Sequence, residues 1–162
     1  IYTCRQLSAV ASTWYPLFTG STGATATDVS LDFGTGSVPA TTKNAHLNMV
    51  GSMWYVTDKI IIDAIKVWHM GDDSASTDSL SYALLSYTIS SSGSTSGNLT
   101  EGDTLVGSSS SQTIDNADMD THSITVSNAT VDAGRVIFMM VRGGSTINND
   151  ITAQVDIKYH LF

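Results

Sequence analysis

The chain has 162 residues, of which 14% are charged, and a formal net charge of −8 at pH 7. Its seven Lys and Arg residues are scattered singly, so no basic stripe is available for a phosphate backbone and we expect no direct nucleic-acid binding. No apolar run approaches the ~20 residues that a membrane-spanning helix needs. The single cysteine, Cys4, excludes an intrachain disulfide and a paired-cysteine metal site.

The composition favours an all-β protein of one domain. Ser, Thr, Gly, Asn and Asp are abundant, whereas Glu occurs only at Glu101. Because Thr is β-branched and the others favour turns, this mixture disfavours long helices.

The first 44 residues are the least regular part of the chain. Residues 1–7 are compatible with a short strand, and Trp14, Tyr15 and Phe18 surround Pro16, which is excluded from a central ladder position. Residues 19–44 are rich in Gly, Ser and Thr, with one candidate strand at residues 29–33. We therefore predict a loop-rich N-terminal arm over residues 1–44 whose aromatic residues contact a neighbouring subunit. Removal of residues 1–20 should then leave a folded domain.

From residue 45 the strand pattern tightens. Runs at residues 45–57 and 59–70 meet at Asp58 and Lys59, which predicts a hairpin or a sharp corner. Strict alternation in the second run places Ile60, Ile62, Ala64, Lys66 and Trp68 on one face. Neither face is wholly polar, so this strand should be central in its sheet.

Further strands are predicted at residues 79–90, 103–106 and 111–114, followed by three strands in the last forty residues. About eight strands separated by turn-rich loops are typical of an antiparallel two-sheet β-sandwich, jelly-roll-like in layout. We place this sandwich at residues 45–162.

The sequence THSITVSNATVDAGRVIFMMVRGGSTINNDITAQVDIKYHL, residues 121–161, resembles the C-terminal half of jelly-roll domains in structural proteins of tailed bacteriophages. The resemblance implies a hairpin from residues 123–127 through a turn at Ala133 and Gly134 into the strand GRVIFMMVR, with the last strand closing a sheet. It also implies a decoration, cement, head-fibre or tail-fibre component of the virion surface, on head or tail. Such proteins are commonly homotrimers attached to the major capsid protein or to a fibre or adaptor protein. No catalytic residue and no cofactor is carried over.

The four histidines, His46, His69, His122 and His160, are far apart and none shows the i, i+2 or i, i+4 spacing of a metal pair. We interpret them as hydrogen-bonded strand or interface residues, although a trimer axis could bring three copies of one histidine together. Two acidic loops are weak calcium candidates, and the interpretation as solvated turns is favoured over calcium binding. Their carboxylates are Asp72, Asp73, Asp78, Asp115, Asp118 and Asp120.

No catalytic pattern stands out. There is no G-x-S-x-G motif, and Glu101 has no sequence neighbour that would make a glycosidase pair. We therefore expect a non-enzymatic protein.

The aromatic and Met residues carry the remaining functional signal. Trp54 and Tyr55 are adjacent in a strand and must point to opposite faces, so one should lie outside the core. Met139 and Met140 likewise point both ways, which predicts a strand covered by the core on one face and by a second subunit on the other. The hypothesis is a homotrimeric virion module whose interface includes these four residues together with Trp14, Tyr15 and Phe18. The alternative is a lectin-like domain that recognises host glycans from a phage fibre or a bacterial surface.

Overall fold

The structure is a computed structural model. It describes residues 2–8, 12–17, 31–44, 47–71, 79–90, 98–106, 112–113, 119–144 and 150–162. These ranges contain strands and a short 3-10 helix, Leu47–Ser52. The strands are β1 (Tyr2–Ser8), β2 (Trp14–Pro16), β3 (Trp54–Tyr55), β4 (Ile60–Gly71), β5 (Ser79–Ile89), β6 (Leu99–Val106), β7 (Gln112–Thr113), β8 (Asp120–Ile124), β9 (Thr130–Val131), β10 (Arg135–Gly143) and β11 (Asp150–Leu161).

The strands form two antiparallel sheets with the topology of a jelly roll. One sheet has the order β1-β11-β4-β8 with β9 beside β4, and the other has the order β2-β10-β5-β6 with β3 and β7 at its margins. The strands pair as a long ribbon, β1 with β11, β2 with β10, β4 with β8 and β5 with β6. Wrapping this ribbon brings β11 beside β4 and β10 beside β5, which is how a jelly roll is built. The predicted all-β sandwich is confirmed.

Two apolar cores lie on opposite faces of the sheet that contains β5 and β10. The inner core lies between the sheets and includes Ile62, Val67, Tyr82, Leu84, Met139 and Val155. The outer core covers the other face and includes Trp14, Leu31, Phe33, Met49, Leu85, Tyr87, Phe138 and Met140. Side chains of β5 alternate between these two cores, and both faces of the strand are buried.

The cover on the outer face comes from this chain itself. Leu31, Phe33 and Met49 are buried against β5 and β10, and Phe33 N–H donates to the Trp14 carbonyl at 2.9 Å. The prediction that both faces of β10 are buried is therefore confirmed. The second layer comes from residues 31–44 and 47–52, which we call the covering segment, where the sequence predicted a neighbouring subunit.

Three local expectations differ from the structure. The predicted hairpin from residues 123–127 into β10 is absent, because β8 pairs with β4 in one sheet while β10 lies in the other. The turn at Ala133 and Gly134 is present, with Gly134 at φ +83°. Residues 47–52 form the 3-10 helix instead of a long strand, and residues 31–33, the described part of the candidate strand at 29–33, are not extended into a strand.

The N-terminal region belongs to the same fold as the rest. β1 pairs with β11 at the edge of one sheet, and β2 pairs with β10 at the edge of the other. This differs from the predicted division into an arm over residues 1–44 and a sandwich over residues 45–162. The reason is topological, because each sheet takes an edge strand from the start of the chain.

Candidate functional site

Four of the seven predicted interface residues are buried in the fold of this chain. Trp14 is 0% exposed and Tyr15 is 7% exposed, and both pack in the outer core. Burial, and secondly the nearby Asp32 carboxylate, raise the pKa of Tyr15, partly offset by a hydrogen bond with Thr13. Met139 and Met140 are fully buried as well. Phe18 lies outside the described residues.

The adjacent pair on β3 divides between core and solvent, as the sequence predicted. Trp54 packs against the inner core, and its ring centroid is 5.0 Å from that of Tyr159. Tyr55 is 54% exposed. Of the predicted interface set, Tyr55 is therefore the described residue with the largest accessible surface.

Other exposed apolar residues lie at the same end of the sandwich as Tyr55, where residues 55–59 bond to Arg135 and Phe162 through the backbone. Tyr159, Leu161 and Phe162 are 48%, 65% and 78% exposed. The Lys59 ammonium lies 4.5 Å from the centroid of the Phe162 ring, which links the corner before β4 to the end of β11. We call Tyr55, Tyr159, Leu161 and Phe162 the aromatic end. The sequence did not predict Tyr159, Leu161 or Phe162 as surface residues. An alternating pattern shows the two faces of a strand, but it does not show where the strand extends past the core.

A polar cluster lies at the other end of β4. His69 is 1% exposed, and its Nδ1 lies 2.7 Å from the Tyr82 hydroxyl on β5. On its other side, His69 Nε2 lies 3.3 Å from His122 Nε2 and 4.0 Å from Asp120 Oδ2. We call these four side chains the histidine cluster.

Strand register assembles the histidine cluster. Val67 is opposite His122 and His69 is opposite Asp120 in the antiparallel β4–β8 pair, and alternate residues of paired strands share a face. The two histidines are 53 positions apart in sequence. Spacing rules within one strand could not detect them, since the contact depends on which strands pair.

Of the other predicted polar residues, the structure describes His160 and Asp120. His160 Nδ1 lies 2.9 Å from Asp63 Oδ1 in an exposed pair. His46 and five of the six calcium candidates, Asp72, Asp73, Asp78, Asp115 and Asp118, lie outside the described residues. Asp120 is the described member of that set and belongs to the histidine cluster. Over the described ranges, no group of three or more His, Cys, Asp or Glu side chains is arranged to hold a metal ion.

A groove of about 300 Å³ runs beside the histidine cluster, lined by Trp68, His69, Met70, Met119, Thr152 and Gln154. The β4–β11 register places Trp68 opposite Gln154 and Met70 opposite Thr152. The Lys66 ammonium lies 4.9 Å from the centroid of the Trp68 ring. The groove thus combines an aromatic ring with an amide, a hydroxyl and a nearby cation, the mixture of apolar walls and few polar groups found in small-ligand sites.

No protein-family model matches the sequence, and no curated protein matches it at a significant level. In the part of the chain that the structure describes, no helix has the length and apolar character to cross a membrane.

Proposed function

We propose that this chain is a non-enzymatic structural protein of a phage particle, a homotrimeric decoration, cement or fibre module on the virion surface. In this proposal it docks on neighbouring copies of itself and on the major capsid protein or a fibre or adaptor protein.

The fold is compatible with this function without selecting it. Jelly rolls occur in viral capsid proteins, in lectins and in cupins. Because one fold serves many functions, the topology alone does not indicate the function, and the proposal depends on the exposed surface.

The aromatic end is the observation that carries the proposal. It places Tyr55, Tyr159, Leu161 and Phe162 in solvent at one end of the sandwich, although the chain fills two cores with other apolar residues. Burial of apolar surface contributes roughly 25 cal/mol per Å², and a specific interface needs about 1,000 Å² or more in total. A three-fold arrangement would bury these apolar side chains in every copy, and the surface around them would supply the rest of the interface.

The native mass tests the proposal. Multi-angle light scattering over a range of concentrations should give three times the 17.2 kDa of the chain. The double variant Leu161→Ser/Phe162→Ser should lower the mass toward that of a monomer while the far-UV circular dichroism stays unchanged. Met119→Ser is the matched control, because Met119 is 64% exposed at a site away from the aromatic end, and it should keep the trimer.

A wild-type chain that is monomeric at every concentration would contradict the proposal. So would a trimer that Met119→Ser disrupts and the double variant leaves intact, because the interface would then lie elsewhere.

The groove beside Trp68 favours a second candidate function, glycan recognition. Trp rings stack on sugar faces, and the Gln154 amide and Thr152 hydroxyl can bond ring hydroxyls. A monomer that binds on a glycan array, and loses binding in Trp68→Ala, would support this alternative over the virion module.

A further inference from the structure

We propose that His69 and His122 form a two-histidine site for a divalent transition-metal ion such as Zn²⁺ or Ni²⁺, between β4 and β8. The site is independent of the proposed virion function. It rests on how the two imidazole rings approach each other and on what holds them there.

The distance between the two ring nitrogens fits a shared metal ion. The Nε2 atoms of His69 and His122 are 3.3 Å apart. Two nitrogens that each lie about 2.0–2.1 Å from a tetrahedral Zn²⁺ are roughly 3.4 Å apart. An ion between these rings would therefore need little movement of either strand.

The two imidazole rings meet at an angle rather than head-on. The ring centroids are 4.7 Å apart, with an interplanar angle of 50°. Rings joined head-on by a linear N–H···N hydrogen bond across this distance would hold their centroids roughly 5.6 Å apart, since hydrogen bonds favour linear geometry. The two nitrogens thus approach each other at an angle. Two imidazoles bound to one tetrahedral Zn²⁺ would hold their centroids roughly 5.2 Å apart, so binding would move the ring centres apart by about half an ångström.

Neighbouring groups hold His69 in this orientation. The Tyr82 hydroxyl bonds its Nδ1 at 2.7 Å, and both residues are almost wholly buried, so rotation of the ring would disrupt core packing. Metal-binding histidines usually have such a partner on the second nitrogen, which sets the tautomer and the ring position. His122 is half-buried, which leaves a route from solvent.

The charge and the donor atoms indicate the class of ion. Imidazole nitrogens favour Zn²⁺, Cu²⁺ and Ni²⁺ over Ca²⁺ and Mg²⁺, which prefer oxygen ligands. Asp120 Oδ2 is 4.0 Å from His69 Nε2, a distance suited to accepting a hydrogen bond from metal-bound water. Since no third side chain of the described residues completes a protein ligand set, water supplies the remaining ligands and the affinity is moderate. The ion would join the edge strand β8 to the central strand β4.

Metal-dependent thermal stability tests the site in untagged, metal-stripped protein at neutral pH. Increasing Zn²⁺ or Ni²⁺ should raise the unfolding temperature of the wild type, and equal concentrations of Ca²⁺ or Mg²⁺ should not. His122→Asn should weaken the apparent Zn²⁺ affinity roughly tenfold or more, because a coordinating side chain matters at least as much as the group that orients it. His160→Asn is the control, since it removes the other described histidine–carboxylate pair and should retain the full shift.

Absence of a Zn²⁺ or Ni²⁺ shift in the wild type would overturn the proposal. A shift lost in His160→Asn and kept in His122→Asn would also overturn it. If His122→Asn fails to fold, titration of the wild type with Co²⁺ followed by NMR of the histidine rings decides the question. Selective broadening of the His69 and His122 signals supports the site, and broadening confined to other histidines refutes it.

Discussion

Tyr87 shows how one side chain joins the outer layer of the chain to the sheet beneath it. Its ring contacts Phe33 of the covering segment and Phe138 of β10, with centroids 6.0 and 5.7 Å away. Its hydroxyl donates to the Ala40 carbonyl at 2.7 Å. Burial raises the pKa of Tyr87 well above the usual value near 10, so the phenol stays neutral in the folded protein.

The raised pKa of Tyr87 predicts a loss of stability in alkaline solution. Above pH ~10 the unfolded chain releases this proton while the folded chain retains it, so the free energy of unfolding falls as pH rises. Tyr87→Phe should lose less stability between neutral pH and pH ~11. At neutral pH it should be less stable by about 1 kcal/mol, since the Ala40 carbonyl loses its donor.

Urea denaturation at a series of pH values measures this effect. Tyr55→Phe is the matched control, because Tyr55 is exposed, and it should follow the wild-type curve. Parallel pH curves for Tyr87→Phe and the wild type would refute the assignment.

At the scale of elements, β4 shows where pattern reasoning succeeds and where it fails. The strand is central, between β11 and β8, as predicted. Alternation, however, changes phase within it: Ile60 and Ile62 are buried, and the next buried residue is Ile65. A β-bulge opposite Lys158 and Tyr159 accounts for the shift, since an extra residue reverses the faces. Strict alternation divided the apolar residues of β4 between two faces. In the structure the buried ones, Ile60, Ile62, Ile65 and Val67, share the inward face, and the bulge lies between Ile62 and Ile65.

Some features of the fold follow from local sequence patterns, and others depend on long-range strand pairing. Strand existence, the two-sided burial of β5 and the opposite faces of Trp54 and Tyr55 follow from local alternation. The pairing of β8 with β4 does not, because it joins strands that are far apart in the sequence. The contact between His69 and His122 depends on that pairing, so it was beyond reach for the same reason.

Gly102 in β6 lies in close contact with Thr41 of the covering segment. A Cβ at this position would lie 2.8 and 2.9 Å from the Thr41 Cα and carbonyl oxygen, and 2.6 Å from Tyr87 Cε1. Two of these contacts are with backbone, which cannot move aside cheaply, and Gly102 N–H donates to Thr41 O at 2.9 Å. Gly102→Ala should therefore destabilise the protein by about 1–3 kcal/mol.

Gly51→Ala provides the control for this prediction. A Cβ at Gly51 would meet nothing within 4 Å, so the substitution should change the free energy of unfolding by no more than about 0.5 kcal/mol. Chemical denaturation of both variants measures the difference, and equal midpoints would show that the covering segment does not press on β6.

At the scale of the whole molecule, the start of the chain completes both sheets. β1 and β2 are edge strands of different sheets, Trp14 lies in the outer core and Leu17 in the inner core. Trp14 Nε1 also donates to the Gly36 carbonyl at 2.9 Å, which anchors the segment that covers β10. These contacts make residues 2–8, 12–17 and 31–44 part of one cooperative unit with the sandwich.

Deletion of residues 1–17 should therefore abolish or severely weaken the fold, contrary to the expectation from sequence that the arm is separable. The deletion exposes the edges of β11 and β10 and opens both cores.

Trp14→Ala, a milder change, should lower the free energy of unfolding by about 3–5 kcal/mol because it leaves a large cavity in the outer core. Val38→Ala is the control, since Val38 is 40% exposed and its loss should cost little. Urea denaturation and near-ultraviolet circular dichroism measure all three proteins. If the truncated chain kept the wild-type unfolding midpoint and cooperativity, residues 1–17 would be an appendage and the sandwich would be stable without its two edge strands.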